Sequence, residues 1–389
     1  MNRLLSSLIL GILCCFTGLV FYAFLTQNFL PPQRATFFDD FPNYYFAGKR
    51  FMEGIPVYGP LEQDVSHTLG LQGYKAYASD PPFTVLALTP VVLLSYLVSW
   101  WCFIALSVVL FFFAITLWLD EYNFSPTARM LLISMSYLSQ PFLFLLKKNH
   151  FESILLLLFV CGLRAYKRKS IVMSSVYWGL AAGLKLFPTV WFIALPNRSL
   201  TKRLFFGCSI LLLSLLIGWV FLGTRNVSEF FSVTLPLSPI WQGTIGNYSI
   251  ISLCTAIGIT QWGYPMLILA GLAVLLRWRN AHTRVDIAAL SASALLLAPL
   301  CWLNYFILLL PACIDAVYQY SMLRTQKTLL HVIMLVLTLF YPPSIELASP
   351  IASVLCSFIP LYILAYFAFR LEPLAENQSH SLSKPNLSQ

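Results

Sequence analysis

The chain has 389 residues, of which 59 % are apolar and only 10 % charged, with a formal net charge of +9. Soluble domains carry about 25 % charged residues, so a soluble enzyme is excluded and a polytopic membrane protein is the class that fits. The basic excess is no nucleic-acid stripe: it falls in short clusters between apolar runs, such as Arg164, Lys167, Arg168 and Lys169, or Arg277, Arg279 and Arg284, as in cytoplasmic loops.

In chain order, the first apolar run, 4–25, follows Arg3 and reads as a retained signal anchor with its N-terminus in the cytoplasm. It is long for a signal peptide and lacks a small-x-small cleavage site. Further apolar runs follow at 96–118, 130–146, 152–166, 171–184, 186–196, 204–222, 262–277, 286–301, 303–318, 328–341 and 351–369. The expectation is an all-α protein of about 10–13 transmembrane helices, each needing about 20 apolar residues to cross. Several runs are shorter, which predicts half-helices or re-entrant segments around a cavity. The count places Arg129, Arg198, Lys202, Arg203, Arg324, Lys327 and Arg370 with the other basic clusters on the cytoplasmic side, together with the C-terminus. Residues 1–371 are expected to form one membrane unit, followed by a polar, disordered tail, 372–389.

Two long external loops stand out, 27–94 and 223–261; loops of that length are usually functional or disordered. In the first, Asp39-Asp40-Phe41-Pro42 has the form of a helix start, with an acidic N-cap and Pro in the first turn. Tyr44, Tyr45, Gly48, Phe51 and Met52 then recur at helical spacing before Gly54 ends the segment. The expected helix lies in the interface with its aromatic residues toward lipid. From Asp80-Pro81-Pro82-Phe83 to Leu94 a short non-spanning helix is predicted to dip back into the bundle.

The same count places Asp39, Asp40, Lys147, Lys148, His150, Glu152, Lys185 and Asn304 at one membrane surface, opposite the basic clusters. Ionisable residues at a membrane edge are costly, and a one-sided cluster marks a site. Asp40 has two readings: a helix cap, or a carboxylate that accepts a proton from a hydroxyl nucleophile, with Asp39 as its understudy. Lys147 and Lys148 sit where lysine is disfavoured, so they either meet a lipid phosphate or snorkel to the headgroups. Lys185 is a single charge in an apolar stretch, at the break before Pro188, and suits a lipid phosphate headgroup. The small residues of Gly179-Leu180-Ala181-Ala182-Gly183 allow close helix packing beside it. Trp302 and Tyr305 suit either an interfacial belt or the face of a sugar; Asp80, Asn226 and Asn247 are weaker candidates. The nine cysteines lie mostly in apolar runs with no CxxC, so they are packing residues. No Walker loop, Rossmann fingerprint, HExxH or nucleophile elbow is present, and neither a metal nor a cofactor is expected.

These residues resemble glycosyltransferase family 87, the polyprenol-phosphate-mannose-dependent mannosyltransferase-like proteins. The resemblance rests on Asp40-Phe41, Tyr44-Tyr45, Ala47-Gly48, Gly54 and Tyr58, then Pro81-Pro82-Phe83. It continues through Gly179-Leu180-Ala181-Ala182 with Lys185 and Pro188, and ends on Ala298-Pro299 with Trp302. It implies a C-type glycosyltransferase fold in a bacterial inner membrane. It further implies inverting single displacement from a polyprenyl-phosphate-linked hexose, mannose first among candidates, onto a cell-envelope lipid or glycan at the extracytoplasmic face. Asp40 is carried over as general base and Lys185 as a contact to the donor phosphate; Tyr44, Lys147, Lys148, His150, Glu152, Trp302, Asn304, Tyr305 and Asp80 are the candidate substrate contacts around them. The chain departs from the family pattern at Asn149-His150-Phe151-Glu152, where Gly-Gln-x-Asn is common. It departs again at Asn304 and Tyr305, where paired histidines are frequent, and at Asp80, where an aromatic is usual. Those departures leave a catalytically inactive assembly partner as an alternative. A lipid-linked-sugar transporter is the other, though its markers, inverted repeats and mid-span charges, are not seen.

Overall fold

The computed structural model describes residues 17–19, 40–70, 78–193, 200–234, 241–242, 246–280, 286–341 and 350–369. Most of the expected first span 4–25 lies outside them, as do Asp39, Arg198, Arg284, Arg370 and the tail 372–389. Among the described residues the architecture is helical, with an isolated antiparallel bridge pairing Asn247 with Trp302.

Helix α1 (Phe41–Met52) starts after Asp40 with Pro42 in its first turn, and the chain turns at Gly54, whose φ is 71°. The helix forms where the pattern places it, but its orientation corrects the expectation. Phe41, Tyr44, Tyr45, Phe46, Ala47 and Gly48 are buried in protein. The Phe41 ring lies 5.5 Å from both Tyr96 and Phe103, and Tyr45 donates to the Leu94 carbonyl at 3.0 Å. A core-facing stripe and a lipid-facing stripe share one spacing, so the sequence pattern could not separate them. Helix α2 (Glu62–Leu69) is tied back by Arg50, 2.6 Å from the Asp64 carboxylate.

Helix α3 (Pro82–Leu88), extended by a 3-10 turn over Thr89–Leu93, is the expected short element. It lodges against Gly218, where an added Cβ would lie 2.7 Å from Pro82 Cβ. Thr84 Oγ1 donates to the Leu184 carbonyl at 2.5 Å, fixing α3 to the stretch that precedes Lys185.

Helix α4 (Tyr96–Leu119) is long enough to cross a membrane. Trp100, Phe103, Ile104, Ser107, Phe111, Ala114, Ile115 and Trp118 form its buried stripe, while Trp101, Val109, Phe112 and Phe113 stay exposed. Helices α5 (Pro126–Tyr137) and α6 (Gln140–Lys148) form a pair bent by 47°. Pro141, which cannot donate to the turn before it, explains that break. Helix α8 (Ile171–Leu184) packs against both α7 (Glu152–Lys167) and α9 (Leu200–Glu229). The close approach of α8 and α9 needs a missing side chain: a Cβ on Gly183 would lie 2.5 Å from Ser214 Oγ. Helix α9 runs through a kink at Gly223, so part of the expected second loop is helical.

Helices α10 (Ile250–Ala256) and α11 (Gly263–Asn280) complete the second loop and its return. Helix α12 (Ile287–Leu296) is capped by Asp286, whose Oδ1 accepts from the Ala289 N–H at 3.1 Å. A 3-10 segment, Leu303–Leu309, leads into α13 (Leu310–Leu323), followed by α14 (Gln326–Phe340), α15 (Pro350–Ser357) and α16 (Ile359–Phe369).

Among the described residues, Tyr96–Leu119, Leu200–Ser232 and Leu303–Leu323 are long and apolar enough to span, and the α5–α6 pair makes a fourth if counted as one. Shorter apolar helices at Pro82–Leu93, Ile171–Leu184, Ile287–Leu296, Gln326–Phe340 and Ile359–Phe369 fill in between them. The protein is a multi-pass, all-α membrane protein in which many of the apolar runs are broken or short helices. Three of the arginines expected on the cytoplasmic side have acidic partners. Arg164 meets Glu121 at 2.7 Å, Arg129 pairs with Asp120, and Arg277 lies 3.8 Å from Asp286.

Candidate functional site

Chain breaks bring the ionisable residues together. Asn149 ends α6 in the left-handed region (φ 49°), and its Nδ2 donates to the Trp100 carbonyl at 3.1 Å. That turn presents His150 and places Glu152 in the first turn of α7, where the partial positive charge of the helix end favours a carboxylate. Lys185 is the first residue past α8 and is extended (φ −143°, ψ 138°), which turns its side chain off the helix axis. Tyr305 comes from the 3-10 segment before α13.

Glu152, completely buried, is the hub. Its Oε1 accepts from Lys185 Nζ at 2.7 Å, and its Oε2 lies 2.5 Å from His150 Nδ1. Lys185 Nζ also donates to the Tyr305 hydroxyl at 2.8 Å. The same ammonium sits over the Tyr305 ring at 4.1 Å and the Phe151 ring at 4.9 Å, and Phe187 stacks on Tyr305 at 5.2 Å. Ammonium, carboxylate and aromatic faces compensate one another, which is what keeps two charges tolerable away from water.

Tyr44 of α1 closes one side, its ring edge-on to His150 at 5.3 Å and to Phe151 at 5.5 Å. Burial, with the negative fields of Asp80, Asp40 and Glu152, pushes its phenol above the ordinary value. Asp80 is within electrostatic reach of Lys185, His150, Glu152 and Asp40. Burial raises its carboxyl above the ordinary range; Glu152 and Asp40 add to the shift, and Lys185 and His150 oppose it. The Tyr58 hydroxyl donates to the Asp80 carbonyl at 3.0 Å and fixes this turn. Between Asn43, Tyr44, Ala47, Ala78, Asp80, Thr84, Val85 and Leu88 lies a small, open hollow.

Asp40 occupies the N-cap position of α1, yet its side chain makes no capping bond. Its Oδ2 lies 4.0 Å from Lys148 Nζ, and the two side chains are 30 % and 25 % exposed. A partly exposed ion pair of that length is worth little to stability, so the carboxylate is available for other work. Lys147 is half-buried beside Lys148.

The structure thus gathers Asp40, Tyr44, Asp80, Lys148, His150, Glu152, Lys185 and Tyr305 at one end of the bundle. Asn304 is buried next to Tyr305, and Trp302 is half-buried in its bridge with Asn247. Asn247 acts as a clamp: its Oδ1 accepts from the Cys301 N–H at 2.9 Å and the Ser249 N–H at 3.2 Å. Asn226 is likewise a bolt between the two long loops, its Oδ1 accepting from Val57 N–H at 2.8 Å. Sequence reasoning missed Phe151 and Phe187, whose aromatic faces at the break residues were the available signal. Among the described residues no three His, Cys, Asp or Glu side chains form a group that could hold a metal ion.

The sequence model of glycosyltransferase family 87 matches residues 80–302, more than half of the chain. The matched stretch opens at Asp80, includes Lys148, Glu152 and Lys185, and closes at Trp302, leaving Asp40 before it and Tyr305 just past it. No curated protein and no solved structure matches the chain.

Proposed function

The chain belongs to glycosyltransferase family 87, and on that premise we propose that it transfers a hexosyl group, mannose first among candidates, from a polyprenyl-phosphate donor. The acceptor is a cell-envelope lipid or glycan, the reaction an inverting single displacement, and the site the extracytoplasmic face of a bacterial inner membrane. Both termini lie in the cytoplasm in this reading.

The observation that carries the proposal is the Asp40 carboxylate, free of capping duty and standing beside the partly buried Lys148 at the end of the bundle that holds Lys185. A donor already activated as a lipid phosphate ester needs a base for the acceptor hydroxyl and cations for the leaving phosphate. Asp40 takes the first role, accepting the proton as the acceptor oxygen attacks the anomeric carbon and the phosphate departs with its bonding pair. Asp39, beside it in sequence, is the alternative carboxylate. Lys148, with Lys147 next to it, and the third N–H of Lys185 take the second role.

Tyr44, Asp80, His150, Asn304, Tyr305 and Trp302 then surround the sugar, with Glu152 holding Lys185 and His150. A small hollow opens next to Tyr44 and Asp80, beside these residues. Because phosphate binding would compete with Glu152 for Lys185, the more exposed Lys148 is the first cation a headgroup meets.

A donor panel tests this reading. Purified protein in lipid, given polyprenyl-phosphate mannose, the glucose counterpart and a nucleotide sugar with an envelope-lipid extract, is expected to transfer label from the lipid-phosphate donors alone. Transfer from the nucleotide sugar would contradict it.

A further inference from the structure

The Lys185–Glu152 pair raises a difficulty for any anionic substrate: the lysine placed to meet a phosphate is already neutralised. Its Nζ is 2.7 Å from Glu152 Oε1, and the carboxylate is wholly buried. The other oxygen of that carboxylate provides a way out. Glu152 Oε2 lies 2.5 Å from His150 Nδ1, while the Phe151 N–H points at the same nitrogen from 3.1 Å. One nitrogen cannot satisfy both neighbours. With a lone pair, Nδ1 accepts from Phe151; with a proton, it donates to Glu152. A proton on Nδ1 therefore decides which contact is made, and a second proton on Nε2 is what makes the ring an imidazolium.

We propose that His150 is a positioning residue that supplies the site's net positive charge through Glu152, so that binding of an anionic phosphodiester at Lys185 is coupled to uptake of one proton by His150. This rests on the lipid-phosphate donor proposed above. With a neutral imidazole, Lys185 and Glu152 cancel. With an imidazolium, the trio carries one positive charge, and Glu152 keeps a cationic partner when Lys185 turns to the phosphate. A buried carboxylate stripped of every cation is costly, so the imidazolium is the form that lets Lys185 move.

The other charged and titratable groups facing His150 are known. Tyr44 from α1 presents its ring at 5.3 Å, Asp80 from the first loop is within electrostatic reach, and Lys185 and Tyr305 lie beyond Glu152. From α4, Ser107 donates to the His150 carbonyl at 3.5 Å. Of these, Asp80 is the group whose own titration could imitate the effect.

The test is the affinity of farnesyl-phosphoryl-mannose, a diester whose single negative charge is fixed, for protein in neutral lipid nanodiscs between about pH 5.5 and 8.5, the range spanning an ordinary imidazole. Wild-type affinity is expected to weaken as pH rises, by up to about tenfold per unit for one linked proton. His150→Gln leaves the Lys185–Glu152 pair whole and is expected to fold, to bind at the weaker, high-pH level, and to lose the slope. Glu152→Gln, checked for a monodisperse folded peak, is expected to bind more tightly at high pH while turning over more slowly, a split that lost packing would not produce.

Binding that is flat with pH in the wild type overturns the inference and leaves the donor class standing. A slope that survives His150→Gln assigns the proton to Asp80 or another carboxyl and also overturns it. No binding at any pH refutes the lipid-phosphate donor itself, and the inference falls with it.

Discussion

Replacing Lys185 with methionine keeps most of the side-chain volume and removes the ammonium from which Glu152 Oε1 accepts. The carboxylate stays completely buried, with His150 at 2.5 Å as its remaining partner. Breaking a buried pair by deleting one member costs about 3–5 kcal/mol, and the histidine keeps this case near the lower end. Glu152→Gln leaves Lys185 with the Tyr305 hydroxyl and two aromatic faces, for a comparable loss. The double variant has neither charge to desolvate, so it recovers most of the deficit, giving a coupling energy of about 4.5 kcal/mol or more. At about 2 °C for each kcal/mol, each single variant is expected to unfold about 6–10 °C below the wild type, and the double variant within about 3 °C of it. Tryptophan fluorescence during slow heating in one detergent measures all four proteins. Losses that simply add in the double variant would refute the claim that the two residues form one buried unit.

Further outcomes follow from the same geometry. Gly183→Ala puts a Cβ 2.5 Å from Ser214 Oγ and 2.7 Å from Ser214 Cβ; such overpacking costs about 1–3 kcal/mol, and adding Ser214→Gly is expected to restore most of the lost thermal stability. A failure of that rescue would show that α8 and α9 do not meet there. Asp80 has a carboxyl raised above its ordinary value of 3.8 by burial. The folded state therefore holds its proton more tightly than the unfolded chain, and stability falls as pH rises from 3.8 through the raised folded value. Asp80→Asn is expected to remove that part of the pH dependence and to raise the unfolding temperature at neutral pH; a lower temperature there would contradict the shift.

Several features were legible in the sequence because each is local. The Asp40-Phe41-Pro42 start and the Gly54 stop gave α1, the small residues from Gly179 to Gly183 gave the tight contact with α9, and the single charge at 185 in an apolar stretch pointed to the buried cluster around Glu152. What the sequence hides is partnership over distance. Glu152 and Lys185 are 33 residues apart and Lys185 and Tyr305 are 120 apart, and no periodicity links them. Tyr44 and Tyr45 were expected to face lipid because aromatic residues at helical spacing look alike in a core and in an interface. Asn226 and Asn247 read as weak polar candidates, while the structure uses them as clamps on backbone N–H groups. Span lengths were blurred for a similar reason: apolar character continues across breaks such as the 47° bend before α6, where only the backbone changes direction.

The most direct test of the account is the rate of sugar transfer by Asp40→Asn, measured beside the wild type with polyprenyl-phosphate mannose and an envelope-lipid extract, with donor affinity recorded for both. Loss of a positioned base lowers turnover about 10²–10⁴-fold. The account predicts a fall of that size with donor affinity and unfolding temperature unchanged, because the carboxylate makes no capping bond for the fold to lose. Transfer by Asp40→Asn at the wild-type rate would contradict it.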